Sequence, residues 1–406
     1  MSSRVIALYL TLLSTPLFAS PEWVTAWNAS PSEQADDAEH FSGRTVLQNV
    51  LITASGQGVR LRVANVDERE PYRIESLRFN GLPVLFRGKD YAAIPPDNFL
   101  LSDTLLTAVS AGEKLEVRLF LPAQKTQPTI HWYGREDALI SVAGNFSDSP
   151  LFPVASKSDF RLVITAIDVL SPVETVGIVA LGDSITDGSS AEVGTDGRWP
   201  DVAWRVLHAQ GYKLAMANAG IGGDRLLRDA RHTGTSPGVI ERLNDQVLAL
   251  AGINILIIAA GINDIAWPGA KMHGRQLAPD SERPTADELI AGYRAVIASA
   301  KSKGLTIIGA TITPYAGGNT TFVNFYSKKK DRLRTEVNQW IRESGAFDAV
   351  IDFDTLLADP SHPRQLKTEY DSGDHIHPAP RGLEAMGQLA AAVLATVEPI
   401  ASNGAE

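Results

Sequence analysis

Gly182-Asp183-Ser184-Ile185-Thr186 follows directly on the apolar run Val176–Leu181, so a serine hydroxyl stands in the turn at the carboxyl end of what reads as a buried strand. A parallel strand feeding a helix through such a turn exposes the hydroxyl and aims backbone N–H groups into the adjoining crevice. Three further polar stations follow in order: Asn218-Ala-Gly-Ile-Gly-Gly-Asp224, Gly261-Ile-Asn-Asp264 and Asp374-His-Ile-His-Pro378. Together they hold the parts that acyl transfer needs. Ser184 is the candidate nucleophile, and His377 the base that takes its proton. Asp374, three residues before His377, holds the imidazole in one tautomer. Charge developing on a carbonyl oxygen would be met by the N–H of Ser184, the N–H of Gly223 and the side-chain amide of Asn263. Removal of one such donor typically costs on the order of 3 kcal/mol in the barrier.

Each station has a plainer reading when taken alone. Ser184 could cap the helix that it opens. Asn263-Asp264 could be a strand-ending turn and Gly222-Gly223 a flexible loop. Asp374, His375 and His377 could ligate a metal, because two histidines two apart on an extended segment project to one side. Four stations in one order favour the acyl-transfer reading, which needs neither metal nor organic cofactor.

On these motifs the chain resembles the SGNH or GDSL hydrolases, whose sequence blocks carry in turn Ser, Gly, Asn, and Asp with His. Gly182-Asp183-Ser184 matches the nucleophile block, and Asn218–Asp224 the second block with Gly223 as its oxyanion glycine. Gly261-Ile-Asn263-Asp264 matches the third and Asp374-His-Ile-His377-Pro378 the last. Arg198-Trp-Pro-Asp201 and Trp23-Val-Thr-Ala-Trp27 are similar to a secreted subgroup with an extra N-terminal β-domain. The chain departs from the pattern at His375, where many relatives carry a small residue. It departs again at Gly222, which leaves open whether the N–H of Gly222 or that of Gly223 faces the substrate.

The texture of the chain divides in two. From Trp23 to about Leu170, alternating runs such as Gly58–Val63, Lys114–Phe120 and Phe160–Ala166 are separated by Gly, Pro, Asn and Asp turns, which predicts a β-sandwich over 20–171, jelly-roll-like by analogy with the family. From about Pro172, apolar strands at Val176–Leu181, Lys213–Asn218, Asn254–Ala260, Leu305–Thr311 and Ala349–Phe353 alternate with helices near 199–210, 237–250, 285–303, 328–344 and 381–396. That alternation predicts an α/β fold over 172–406, a doubly wound, flavodoxin-like parallel sheet with helices on both faces. Ser184, Gly223 and Asn263 then lie just past strand ends, on the edge where such sheets bind ligands. The basic run Ser327–Arg334 reads as the solvated face of a helix. Trp23, Trp27, Trp132 and Tyr133 read as core or interdomain packing, with a sugar-stacking surface as the alternative.

Arg4, the apolar stretch Val5–Leu13 and Leu17-Phe-Ala19 form a signal-peptide pattern over 1–19, which predicts export to a periplasm or medium. No other stretch is apolar and long enough to span a bilayer. Cys 0 excludes disulfides, and a chain of 406 residues can build a sufficient core without them. A net charge of −10 argues against nucleic acid and anionic lipid as partners. The sequence therefore points to an exported serine carboxylic-ester hydrolase acting on a small-molecule or glycan ester, most simply an O-acyl or O-acetyl carbohydrate. A lipase or lysophospholipase is the alternative within the same chemistry, and an inactive carbohydrate-binding scaffold the alternative outside it.

Overall fold

The computed structural model describes residues 22–34, 38–66, 69–172, 174–230 and 237–403. The expected signal peptide lies outside them. Alternation dominates the N-terminal part. In Lys114–Leu121 the side chains of Val117, Leu119 and Leu121 are fully buried, and the residues between them are partly exposed. One antiparallel sheet runs in the order β1 (Glu22–Asn28), β10 (Ile164–Ser171), β3 (Val59–Asn65), β5 (Asn98–Leu101). The facing sheet runs β9 (Val154–Ser158), β8 (Ala138–Ala143), β2 (Arg44–Leu51), β6 (Lys114–Leu121), β4 (Tyr72–Phe79). Val24, Leu61, Val63 and Ile167 from the first meet Val46, Ile74, Phe79 and Leu119 from the second in one apolar core. Inner faces that interdigitate in this way define a sandwich.

The predicted strand Phe160–Ala166 is broken in the structure. Val163 takes φ 64, which is unusual for a β-branched residue, and splits the run into Arg161–Leu162 and β10. Arg161–Leu162 turns away to pair with β7 (Thr129–His131), and β7 in turn pairs with Glu33–Gln34. This small sheet carries His131 to the edge of the sandwich.

After β10 the sheet chemistry changes. The five strands β11 (Val176–Gly182), β12 (Leu214–Gly220), β13 (Ile253–Ala259), β14 (Thr306–Ala310) and β15 (Ala349–Ile351) are all parallel, in the spatial order β12-β11-β13-β14-β15. Every residue of β11 and β12 is buried, as a strand covered on both faces requires. The chain leaves β11 toward β12 on one side and later returns to β13 on the other, so the crevice at the carboxyl end of β11 is the switch point where doubly wound sheets hold ligands.

Helices follow their caps. Thr285 and Glu288 form a capping box for Ala286–Ser302, and Ser327 caps Lys328–Glu343. Two expected elements differ. The last strand ends at Ile351, because the carboxylate of Asp352 accepts the N–H of Thr355 and starts a short helix, Phe353–Leu357. The helix expected over 237–250 is an α-turn, Val239–Arg242, followed by a π-helical stretch, Leu243–Val247. The basic run is a solvated face only in part: Lys328, Lys329 and Arg332 are exposed, whereas Lys330, Asp331 and Arg334 are buried. Arg334 pairs with Asp331 and Asp354, and the Lys330 ammonium donates to the carbonyls of Ala266 and Asn324, 2.6 Å each. Burial depresses the Lys330 pKa to about 8.

The two parts are bonded backbone to backbone. Thr25 N–H donates to the Ala251 carbonyl at 2.9 Å, and Ala251 N–H returns to Thr25 Oγ1 at 2.9 Å. Thr53 accepts from Met216 N–H at 3.0 Å and from the Trp204 indole at 2.8 Å. Ala215 of the parallel sheet packs within the sandwich core.

Candidate active site

Ser184 opens the helix Ser184–Asp187 but does not cap it. The cap is Asp183, whose carboxylate accepts the N–H of Ile185 at 3.0 Å. The plainer reading of the serine thus falls to its neighbour, and the Ser184 hydroxyl faces His377, with Oγ 2.8 Å from Nε2. Asp183 is 2 % exposed, and burial raises its pKa to about 7 against the opposing bond from Ile185.

His377 lies on a loop closed by its own backbone. Ser372 N–H donates to the His377 carbonyl at 3.1 Å, and Ala379 N–H to the Tyr370 carbonyl at 2.6 Å, just before the helix Pro380–Leu394. Inside this loop the Asp374 carboxylate accepts from His377 Nδ1 at 2.5 Å, and from the N–H groups of Ile376 and His377 at 2.8 Å each. Partial burial alone would raise the Asp374 pKa. The bonds from His377 and the loop N–H groups outweigh it and hold the group well below the usual carboxylate range. Asp374 is therefore a fixed anion behind the imidazole.

His375 is turned elsewhere. It sits at φ 64, its Nδ1 lies 2.5 Å from Asp371 Oδ2, and its ring packs on Gly317. Its carboxylate partner lies four residues back, and among the described residues no cluster of three or more His, Cys, Asp or Glu is arranged to hold a metal.

The donors converge from two strand ends. The N–H of Gly222 is engaged by Asp187 Oδ2 at 2.9 Å, while the N–H of Gly223 has no acceptor among the described residues. Gly223 adopts φ 79, a conformation that glycine takes without strain and that turns successive N–H groups to different sides. Asn263 is second in the short helix Ile262–Ala266 that follows β13, is 5 % exposed, and directs one amide hydrogen to the Asp224 carbonyl at 2.8 Å. Its other amide hydrogen remains available. Asp264 binds the N–H groups of Leu226 and Leu227, at 2.6 and 3.0 Å, so the second and third stations are laced together. All five residues expected to act, Ser184, Gly223, Asn263, Asp374 and His377, border the carboxyl edge of the parallel sheet or the loop that packs on it.

Other residues that shape this edge were not singled out in the sequence. Arg242, with its side chain fully buried, pairs with the equally buried Asp224 at 2.6 Å and donates to the Ala219 carbonyl at 2.7 Å and the Gly182 carbonyl at 3.3 Å. It thereby clamps the ends of β11 and β12. Asp224 lies within the second polar station, but nothing local marks Arg242 as its partner. From the sandwich, His131 reaches Asp187. Arg198, which precedes helix Trp199–Ala209, donates to the carbonyls of Tyr133 and Gly134, 2.8 Å each. Of the four aromatics, Trp23 lies under Arg60, Trp27 near Arg161 and Trp132 edge-on to Phe160, and Tyr133 alone abuts the site, its ring against Gly222.

Several solved structures are similar to this chain. A lipolytic protein of the G-D-S-L family from Desulfitobacterium hafniense is 22 % identical, with a TM-score of 0.39 over 54 % of this chain and 100 % of that one. A lipase/acylhydrolase from Enterococcus faecalis is 22 % identical, with a TM-score of 0.40 over 54 % of this chain and 94 % of that one. An acetyl xylan esterase, AlAXEase, is 18 % identical, with a TM-score of 0.38 over 53 % of this chain and 97 % of that one. No curated protein matches. The family model for GDSL-like lipase/acylhydrolases matches residues 178–390, a stretch that begins inside β11 and closes past the Asp374–His377 loop. With all four polar stations inside that match, the chain belongs to the GDSL-like lipase/acylhydrolase family, and it is a carboxylic ester hydrolase.

Proposed function

We propose that the protein is an exported serine esterase that removes short O-acyl groups, foremost acetyl, from carbohydrate or other small esters, with Ser184 as nucleophile. The observation that carries this reading is the unbroken chain Ser184 Oγ, His377 Nε2, His377 Nδ1, Asp374 Oδ2, with links of 2.8 and 2.5 Å. His377 accepts the serine proton as Oγ attacks the ester carbonyl, and Asp374 stabilises the imidazolium that forms. The oxyanion is received by the N–H groups of Ser184 and Gly223 and by the free amide hydrogen of Asn263. His377 then returns the proton to the departing alcohol, leaving an acyl-enzyme that water, activated by the same imidazole, hydrolyses. A short acyl group is favoured by the polar side chains that border the crevice, among them Asn263, Asp374 and His377.

The test is a substrate panel on wild type and Ser184→Ala. The expected result is release of acetate from acetylated xylan or another acetylated glycan and fast turnover of p-nitrophenyl acetate. Ser184→Ala should lower kcat by roughly 10⁴-fold or more without loss of folding. Turnover of lysophospholipid exceeding that of every acetylated glycan would instead select the lipid reading. Activity in Ser184→Ala within tenfold of wild type would remove the nucleophile assignment.

A further inference from the structure

The sandwich reaches into the catalytic edge through one buried chain of hydrogen bonds. His131, 3 % exposed, places Nδ1 2.7 Å from the Ser30 carbonyl and Nε2 3.1 Å from Asp187 Oδ1. Asp187, 1 % exposed, gives its other oxygen to the N–H of Gly222 at 2.9 Å. A carbonyl can only accept, so Nδ1 donates to Ser30, and a second proton lies between Nε2 and Asp187. Asp187 thus links the His131 ring to the N–H of Gly222. From the other side the Tyr133 ring lies against Gly222, close enough that an added Cβ would meet its ring at 2.6 Å. Tyr133 itself is pinned at φ 52 by the bonds from Arg198. Gly222 is thus gripped between Asp187 below and Tyr133 above, and the peptide plane that follows it carries the N–H of Gly223.

From this we infer that His131 of the N-terminal sandwich is a positioning residue for ester hydrolysis, aiming the Gly223 N–H at the oxyanion through Asp187 and Gly222. The inference depends on the Ser184 reading above. A loop free to rotate at Gly222 would present the Gly223 donor in the right direction only part of the time. Misplacement of a catalytic group by about 1 Å costs on the order of 10²-fold. Because the donor acts on the transition state rather than on bound ester, the loss falls on kcat and not on KM.

The experiment uses the full chain with p-nitrophenyl acetate as substrate and methylboronic acid as a mimic of the tetrahedral intermediate. His131→Gln, whose amide can still donate to Asp187, should stay within about fivefold of wild type, whereas His131→Leu should lose about 10- to 100-fold in kcat with KM within threefold. Affinity for methylboronic acid should weaken in step with kcat. Asp187→Asn can keep the chain by donating to Nε2 and accepting from Gly222, so it should resemble His131→Gln; Asp187→Leu cuts the chain and should resemble His131→Leu. The double variant His131→Leu/Asp187→Leu should be no slower than either single leucine variant, because both act along one path.

Should the leucine variants fold poorly, the Gln and Asn variants and their boronate affinities still decide the matter. Values of kcat for either of them down more than tenfold with boronate affinity unchanged would overturn the inference. So would additive losses in the double variant, or His131→Leu within twofold of wild type. A Ser184→Ala control separates the two readings: if it remains active, the nucleophile assignment fails; if it is dead while the His131 variants are fully active, only the positioning role fails.

Discussion

At the scale of single residues, chemistry is divided among neighbours that look alike in sequence. Two Asp–His pairs sit within seven residues, yet only His377 faces Ser184. His375 occupies the left-handed region, which asparagine tolerates better than most side chains, so His375→Asn should fold and keep kcat/KM for p-nitrophenyl acetate within about fivefold. His377→Asn should lose about 10⁴-fold; the opposite ranking would exchange the two assignments. Asn263 has one amide hydrogen tied to the loop and one free. Asn263→Ala should lower kcat by about 10²- to 10³-fold with KM little changed, since the free hydrogen is asked to meet an oxyanion and not a ground-state carbonyl. A rise in KM alone would make Asn263 a substrate clamp. Asp187, a partner that no local pattern announces, takes the Gly222 N–H, and the N–H of Gly223 is therefore the one proposed as oxyanion donor.

At the scale of elements, the parallel strands and their order were readable because a strand buried on both faces must be apolar throughout, and β11 is. The helix after residue 237 was misjudged because its periodicity is that of an α-helix. The requirement that Arg242 reach Asp224 and two strand-end carbonyls is tertiary, and the backbone leaves α geometry from Leu243 onward. Replacing Arg242 with methionine would leave the Asp224 carboxylate buried without its cation. The expected cost is about 3–5 kcal/mol, measured by denaturant unfolding, with activity falling in parallel as the strand ends loosen. The short nucleophile helix has its own pH signature. The folded chain holds the Asp183 proton up to a pKa of about 7, whereas an unfolded carboxyl releases it near 3.8. Stability from this group is therefore fully present below pH 4 and is lost as pH rises through 7. Asparagine caps as well and carries no charge, so Asp183→Asn should gain on wild type by up to about 4 kcal/mol between pH 4 and pH 8. Unfolding midpoints of the two proteins that differ by a constant amount across this range would exclude it.

At the scale of the whole molecule, the division of texture near residue 171 was visible as a change from period-two alternation to strand–helix alternation. What joins the halves was not. The His131–Asp187 contact spans 56 residues, and the Thr53–Met216 bond spans 163. No window of sequence relates such positions. Since Ala215 belongs to the sandwich core and Thr25 exchanges two bonds with Ala251, the halves should not melt independently. Calorimetry should show one unfolding transition, and two resolved peaks would mean that these contacts contribute little. The family reaction proposed here assigns every step to side chains and backbone, so prolonged treatment with a chelator should leave ester turnover unchanged. Loss that added zinc restores would return Asp374, His375 and His377 to the metal-ligand reading.

Gly182, Asp183 and Ser184 are adjacent for unrelated reasons. A Cβ on Gly182 would stand 2.3 Å from the Thr186 hydroxyl and 2.5 Å from the Ala259 carbonyl, Asp183 is a cap, and Ser184 alone is asked to react. A library randomised at these three codons would therefore give different survivors under different sieves. Sorted for soluble expression, it should return glycine at 182, a spread of Asp, Asn, Ser and Thr at 183, and small residues of any chemistry at 184. Sorted for ester turnover, position 184 should also collapse to a single letter, serine.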